Sequence, residues 1–302
     1  SFMKKNGGSF EAALATTRAG SLFTTHTAVA AGFDHFSSSL MFHFFGSYAE
    51  EELGIDFEKL MALGRQDTKN TSEPFNMAFL AIRGSGAING VSRLHGEVSR
   101  HLFASLYPRW PVEEIPVGHV TNGVHMPGWD AETADSIWTQ ACGKNRWRGN
   151  LESLEKSILS LPDDTIWQLR TTCRNNLVNY IRIRLESQLR VAGFPSDTVD
   201  RAKNIFNAGT LTLGFARRFV PYKRPDLLLH DQERFIRILT NPRRPVQLVI
   251  AGKAPPFDES GKALIREWVH FIQQHNLHEH IVFLSDYDIL LAEQLVQGAD
   301  VW

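Results

Sequence analysis

Any fold open to this chain must bury the run Pro245-Val246-Gln247-Leu248-Val249-Ile250-Ala251. It is apolar almost throughout and stops at Gly252-Lys253, so it reads as a strand covered on both faces. Such a strand needs helices above and below it, and the neighbouring sequence supplies them. Strand-like runs at Thr210 to Phe215 and His280 to Leu284 alternate with helical segments at Asp226 to Leu239, Lys262 to Gln274 and Ile289 to Val296. This alternation predicts an α/β fold with a parallel, doubly wound sheet. Right-handed crossovers would place its ligand loops at the strand C-termini.

The first two thirds read instead as helices and loops. Amphipathic segments occur at Phe10 to Arg18, Glu50 to Leu63, Phe75 to Ile82 and Val91 to Leu106. The longest helix is expected from about Pro162 to Val191. There Ile166, Leu169, Cys173, Leu177, Ile181, Leu185 and Leu189 recur at steps of three and four, which marks one buried face. Its arginines at 170, 174, 182, 184 and 190 are expected on the solvated face. Gly193 and Pro195 stop it. The change of grammar near Ile205 predicts a division into residues 1–205 and 206–302.

The densest chemistry follows the 210–215 strand, in Arg217-Arg218-Phe219-Val220-Pro221-Tyr222-Lys223-Arg224-Pro225. Four cations within eight residues stand where a strand ends and a helix is expected to begin. Guanidinium forks and free helix-start amides both favour a bound dianion. No G-x-x-x-x-G-K-[ST] or G-x-G-x-x-G motif is present, which disfavours a nucleotide phosphate loop. Lys253, after the buried strand, could reach an anion. In Asp286-Tyr287-Asp288, the last residue is placed to cap a helix.

Before residue 205, Thr24-Thr25-His26-Thr27 offers groups able to hydrogen-bond sugar hydroxyls, although a lone His26 also fits a satisfied core histidine. Thr121-Asn122-Gly123-Val124-His125 would present Asn122 and His125, or form a plain Asn-Gly turn. His95-Gly96-Glu97 resembles a zinc-deaminase H-x-E, but no P-C-x-x-C follows. His275, His278 and His280 are explained by a helix C-terminus, so no metal site is expected. Asn70-Thr71-Ser72 is a chance glycosylation sequon.

Composition excludes several classes. Lys and Arg number 32 against 33 Asp and Glu, so bulk attraction to nucleic acid or anionic lipid is not expected. Cys142 and Cys173 are the only cysteines, too few for a disulfide scaffold and suited to the cytoplasm. No apolar run approaches the ~20 residues that cross a bilayer. Ser1 at one end and an incipient strand at Val301-Trp302 suggest a piece of a longer protein.

The loops resemble those of the α-glucan (glycogen, starch and maltodextrin) phosphorylases, in their shorter bacterial and archaeal branch. The matching stretches are FTTHTAVAAGFDHF, FNMAFLAIRGSGAINGVSRLHGEVSRHLF, IPVGHVTNGVHMPGW, LTLGFARRFVPYKRPDLL, VQLVIAGKA and HIVFLSDYDILLAEQLVQGADVW, in family order. The resemblance implies a glycosyltransferase-B fold, two Rossmann-like domains facing across a cleft, both incomplete in this chain. Residues 1–205 would belong to the glucan-binding domain. Residues 206–302 would belong to the domain that binds phosphate and pyridoxal 5′-phosphate. The implied reaction is reversible, retaining phosphorolysis of α-1,4-glucan (maltodextrin) by phosphate to give glucose 1-phosphate. The cofactor's Schiff-base lysine would lie beyond Trp302, leaving this piece inactive alone.

Carried onto this chain, the resemblance gives His26, Asn122 and Tyr222 glucosyl contacts. It gives Arg218 and Lys223 the substrate phosphate, and Arg217, Trp129, Lys253 and Tyr287 the cofactor. The family loop after the Thr-His motif carries prolines where this chain has Ala28 and Ala30. A homo-oligomer is compatible with this picture. The alternatives are a sugar-nucleotide-dependent glycogen or starch synthase of the same fold, or a non-catalytic glycan-binding relative.

Overall fold

The computed structural model describes residues 2–148 and 151–302. The chain divides into two compact units, Ser1–Val124 and His125–Trp302.

In the first unit, β1 (Leu22–Thr24), β4 (Ala87–Gly90) and β5 (Gly118–His119) form a parallel sheet in the order β1-β4-β5, while β2 (His35–Phe36) and β3 (Phe75–Asn76) pair antiparallel. Helices α1 (Phe10–Ala19), α2 (Ser38–Ser47), α3 (Phe57–Ala62), α4 (Met77–Arg83) and α5 (Arg93–Phe103) accompany them. Ala78 and Ile82 of α4, Ile88 of β4 and Phe103 of α5 share one core with Ile115 and Val117. The helix expected over 50–63 is broken. Gly54 takes the left-handed conformation (φ +63°), and Asp56 caps a new helix by accepting from the Glu58 amide at 2.7 Å.

In the second unit, β6 (Leu211–Ala216), β7 (Val246–Ala251) and β8 (Ile281–Leu284) are parallel, with register from Leu211↔Val246 to Ala216↔Ala251 and from Leu248↔Ile281 to Ala251↔Leu284. Val301 bridges in parallel to Leu213 on the free side of β6. The order is therefore β8-β7-β6-Val301. Connections to either side of β6 run in opposite senses, which makes the C-terminal end of β6 a topological switch point. All six residues of β7 are buried, as its apolar run predicts. Helices α6 (Asp163–Val191), α7 (Ser196–Ala202) and α10 (Ile289–Gly298) share a core with Val249, Ala251, Val282 and Leu284. On the other face α8 (Gln232–Leu239) and α9 (Glu259–Gln274) pack with Val246, Leu248, Ile250 and Ile281. The alternation along β7 is the period-two rule of a strand.

The division expected at 205/206 is not the one between the compact units, which falls at 124/125. The reason is α6. Its Leu177, Val178, Ile181 and Leu185 pack on the second sheet and on Leu291 and Leu295 of α10, so it is a layer of the second unit. Its arginines are corrected with it. Arg170 donates to the carbonyls of Gln297 (2.7 Å) and Ala299 (2.8 Å) and pairs with Asp300 at 3.3 Å. Arg182 donates to the carbonyls of Ile205 and Phe206, and Arg184 to the Asp286 carbonyl and the Asp288 carboxylate, all at 2.8–2.9 Å. Arg174 is buried. Arg190, paired with Glu186 on its own helix, is the one that matches the solvated expectation. Carbonyls left over at the C-terminus of α10 are thus satisfied by a guanidinium. Asp300 also accepts from the Thr212 amide (2.9 Å), which ties this clamp to β6.

Asp288 caps α10, accepting from the Leu291 amide at 2.8 Å. That hydrogen bond, with Arg184 beside it, holds its carboxyl below the ordinary carboxylate value. A carboxylate with a depressed folded-state pKa contributes stability above its unfolded value, and that contribution is lost as pH falls through the folded value. Asp288→Asn keeps the cap but not the charge. Thermal melts should show it less stable than the wild type at pH 7, with the gap closing below about pH 4. In urea titrations, Arg170→Ala should cost about 2 kcal/mol, because it strands several acceptors. Arg190→Ala should stay within about 0.5 kcal/mol.

Candidate functional site

The basic loop starts as an extension of the β6–β7 ladder. The Arg217 amide donates to the Ala251 carbonyl (3.2 Å) and the Phe219 amide to the Lys253 carbonyl (2.9 Å), two residues past the strands. Phe219 is fully buried, edge-on to Phe215 (6.1 Å between ring centres) and Phe283 (5.8 Å). Arg217 and Arg218 beside it are exposed. Pro221–Lys223 forms a 3-10 turn that ends at Arg224 in the left-handed conformation (φ +50°). The Trp268 indole then donates to the Pro225 carbonyl at 2.8 Å and fixes the far end.

No α-helix begins at Pro225. After a 3-10 turn at Leu227–Leu229, α8 starts only at Gln232, capped by Asp231. The anion-binding capacity of the loop therefore comes from side chains and not from a helix dipole. Among the described residues, Arg217, Arg218, Lys223 and Arg224 form no ion pair. Tyr222 is 69% exposed, and the Lys223 ammonium lies 5.8 Å from the centre of its ring.

The loops after β7 and β8 meet the same edge. The Lys253 ammonium lies 3.5 Å from the Asp286 carboxylate. Asp286 adopts φ +56°, held there by Arg184 on its carbonyl. Gln188 of α6 accepts from the Ser285 amide and donates to the Phe283 carbonyl. Burial pushes the Tyr287 phenol pKa up, and the nearby Arg217 charge opposes that. Arg217, Lys253 and Tyr287 are thus gathered at the C-terminal edge of the second sheet.

Trp129 lies earlier in the same unit. It ends a short helix, Met126–Trp129, and its carbonyl accepts from Gln297 near the C-terminus of α10.

In the first unit, His26 and Asn122 follow strands of one parallel sheet. The Thr24 hydroxyl donates to the Asn89 side chain (3.1 Å), and the Thr25 amide donates to the Asn89 carbonyl (3.0 Å). Thr25 is buried and His26 is exposed, so His26 is not a core histidine. Beyond β5, the Val120 amide donates to Gly90 (2.9 Å) and the Asn122 amide to Val91 (3.1 Å), leaving the Asn122 side chain outward. Neither side chain has a hydrogen-bond partner among the described residues. Both loops leave the C-terminal end of this parallel sheet, on either side of β4.

Four further residues build these sites. His95 accepts from the Val91 amide (3.1 Å) through Nδ1, while its Nε2 is buried without a partner. Asp286 faces Lys253. Phe219 and Gly252 shape the basic loop. His95, Gly252 and Asp286 stand inside motifs that the sequence singles out, and Phe219 is an apolar residue inside a run of cations. Among the described residues, no group of three or more His, Cys, Asp or Glu side chains is placed to hold a metal ion.

A family model described as carbohydrate phosphorylase matches residues 1–302. The glycogen phosphorylase of Mycobacterium tuberculosis is 34% identical over 301 residues, covering 98% of this chain and 34% of that protein. The glycogen phosphorylase of Aquifex aeolicus is 34% identical, covering 99% of this chain and 42% of that protein. The maltodextrin phosphorylase of Thermococcus litoralis is 32% identical, covering 99% of this chain and 34% of that protein. The chain thus spans well under half the length of these curated relatives. With the family model matching along its whole length, the chain belongs to the carbohydrate phosphorylase family.

Proposed function

We propose that the protein carrying this chain is an α-glucan phosphorylase, cleaving α-1,4-glucan with inorganic phosphate, reversibly and with retention, to give glucose 1-phosphate. The observation that carries this reading is the cluster of four cations without acidic partners at the C-terminal end of β6, a topological switch point. Elsewhere in this unit Arg170, Arg182 and Arg184 are consumed by carbonyls and carboxylates. Cations left unpaired on an ordered loop imply an anion from outside the chain.

Arg218 and Lys223 hold the substrate phosphate, and Tyr222 lies beside the sugar. His26 and Asn122 hydrogen-bond the glucosyl unit. Residues 1–205 and 206–302 contribute the glucan-binding and phosphate-binding parts of a glycosyltransferase-B fold.

The donor set also fits pyridoxal 5′-phosphate: Arg217 and Lys253 carry charge for a phosphate, and Tyr287 carries a half-buried phenol. When bound, that cofactor would supply a phosphate group able to exchange a proton with the substrate phosphate. Two phosphates in one dry site repel by several kcal/mol or more. Arg217 on one and Arg218 with Lys223 on the other offset that repulsion, and the held phosphate faces the positive charge developing at the sugar. Trp129 joins the cofactor set by resemblance alone. A sugar-nucleotide synthase or a non-catalytic relative is not favoured by the family match. Two free cysteines suit a cytoplasmic setting, and among the described residues no helix is long and apolar enough to cross a membrane.

Phosphate saturation curves with maltodextrin in excess test the assignment. Arg218→Ala and Lys223→Ala should each cost at least about tenfold in kcat/KM for phosphate, the loss of one charge-assisted contact. Arg218→Lys should restore only part, since an ammonium lacks the two-pronged fork. Arg190→Ala should match the wild type. Unchanged curves for the first two variants would reduce the loop to a solvated turn. The purified protein should also show pyridoxal phosphate absorbance and release glucose 1-phosphate only when phosphate is present.

A further inference from the structure

The main chain of residues 217–219 lies directly on two glycines from other elements. A β-carbon on Gly252, just past β7, would stand 2.3 Å from the Arg217 carbonyl oxygen and 2.6–2.7 Å from the Phe219 ring. A β-carbon on Gly261, in the first turn of α9, would stand 2.4 Å from the Phe219 carbonyl oxygen. No side chain fits at either place without lifting the basic loop. Between these two seats the Phe219 ring closes the core shared by β6–β8, α8 and α9, with no exposure to solvent.

This arrangement decides where Arg218 points. The segment is extended and paired through the Arg217 and Phe219 amides, so neighbouring side chains leave it in opposite directions. With Phe219 locked inward, Arg218 must face outward.

We propose that Phe219, seated on Gly252 and Gly261, is a positioning residue that sets the geometry of Arg218 toward a bound phosphate. The inference rests on the reading of this loop as the phosphate site. Its test is a double-mutant cycle read by titrating inorganic phosphate into the full-length protein, with circular dichroism to confirm folding. Arg218→Ala should weaken phosphate binding at least about tenfold in the wild-type background. Phe219→Leu keeps an apolar plug but frees the ring slot, and should by itself weaken binding about fivefold or more. In the Phe219→Leu background, Arg218→Ala should then cost less than about threefold, because the guanidinium is no longer aimed.

Gly252→Ala is the second variant, blocked by a carbonyl that no side-chain change removes, and it should reproduce the same loss of coupling. A purely structural role would lower the melting temperature but leave the Arg218 cost at its full tenfold in both backgrounds, which would overturn the proposal. No cost for Arg218→Ala in the wild type would instead overturn the phosphate reading on which it rests.

Discussion

The parallel ladder between β6 and β7 is the constraint on which the second unit depends. It is buried on both faces, and its register from Leu211↔Val246 to Ala216↔Ala251 continues through the Arg217 and Phe219 amides into the loops. A slip of one residue would turn Val249 and Ala251 away from α6 and α10 and carry Phe219 out of its slot. Core packing and loop chemistry therefore share a single register. The basic loop is an ordered continuation of the sheet, not a flexible appendage.

Charge is distributed on the same logic. Arg170, Arg182 and Arg184 are spent on backbone carbonyls, and Arg170 and Arg184 also on carboxylates, so they work as clamps. Arg217, Arg218, Lys223 and Arg224 have no such partners among the described residues and remain available to a ligand. The clamps serve the site indirectly. Arg184 and Gln188 hold the loop that carries Asp286 and Tyr287, and Arg170 with Asp300 fixes the strand position beside β6. One long helix thus organises the edge at which the free cations gather.

The alternation of strands and helices after residue 205 was legible because Val246–Ala251 is apolar except at Gln247 and α6 repeats at helical spacing. The division between the units was not legible. It turns on what the arginines of α6 touch, and a periodic pattern cannot show that carbonyls of Gln297 and Phe206 await them. The basic loop was legible from charge density, but its conformation was not. Gly252 and Gly261 lie more than 30 residues away in sequence, and only the sheet register brings them beneath Phe219. His26 and Asn122 could not be told from a core histidine and an Asn-Gly turn by residue type. The exposure of His26 excludes a buried core histidine, whereas an exposed Asn122 fits either reading, and the role of both comes from family resemblance.

A crystal structure of the full-length protein with bound inorganic phosphate tests the central claim most directly. The expected result is a phosphate at the C-terminal end of β6, with oxygens about 2.7–2.9 Å from the Arg218 guanidinium and the Lys223 ammonium and the Phe219 ring still buried beneath them. A phosphate bound elsewhere, with Arg218 and Lys223 turned to solvent or paired with carboxylates, would contradict it.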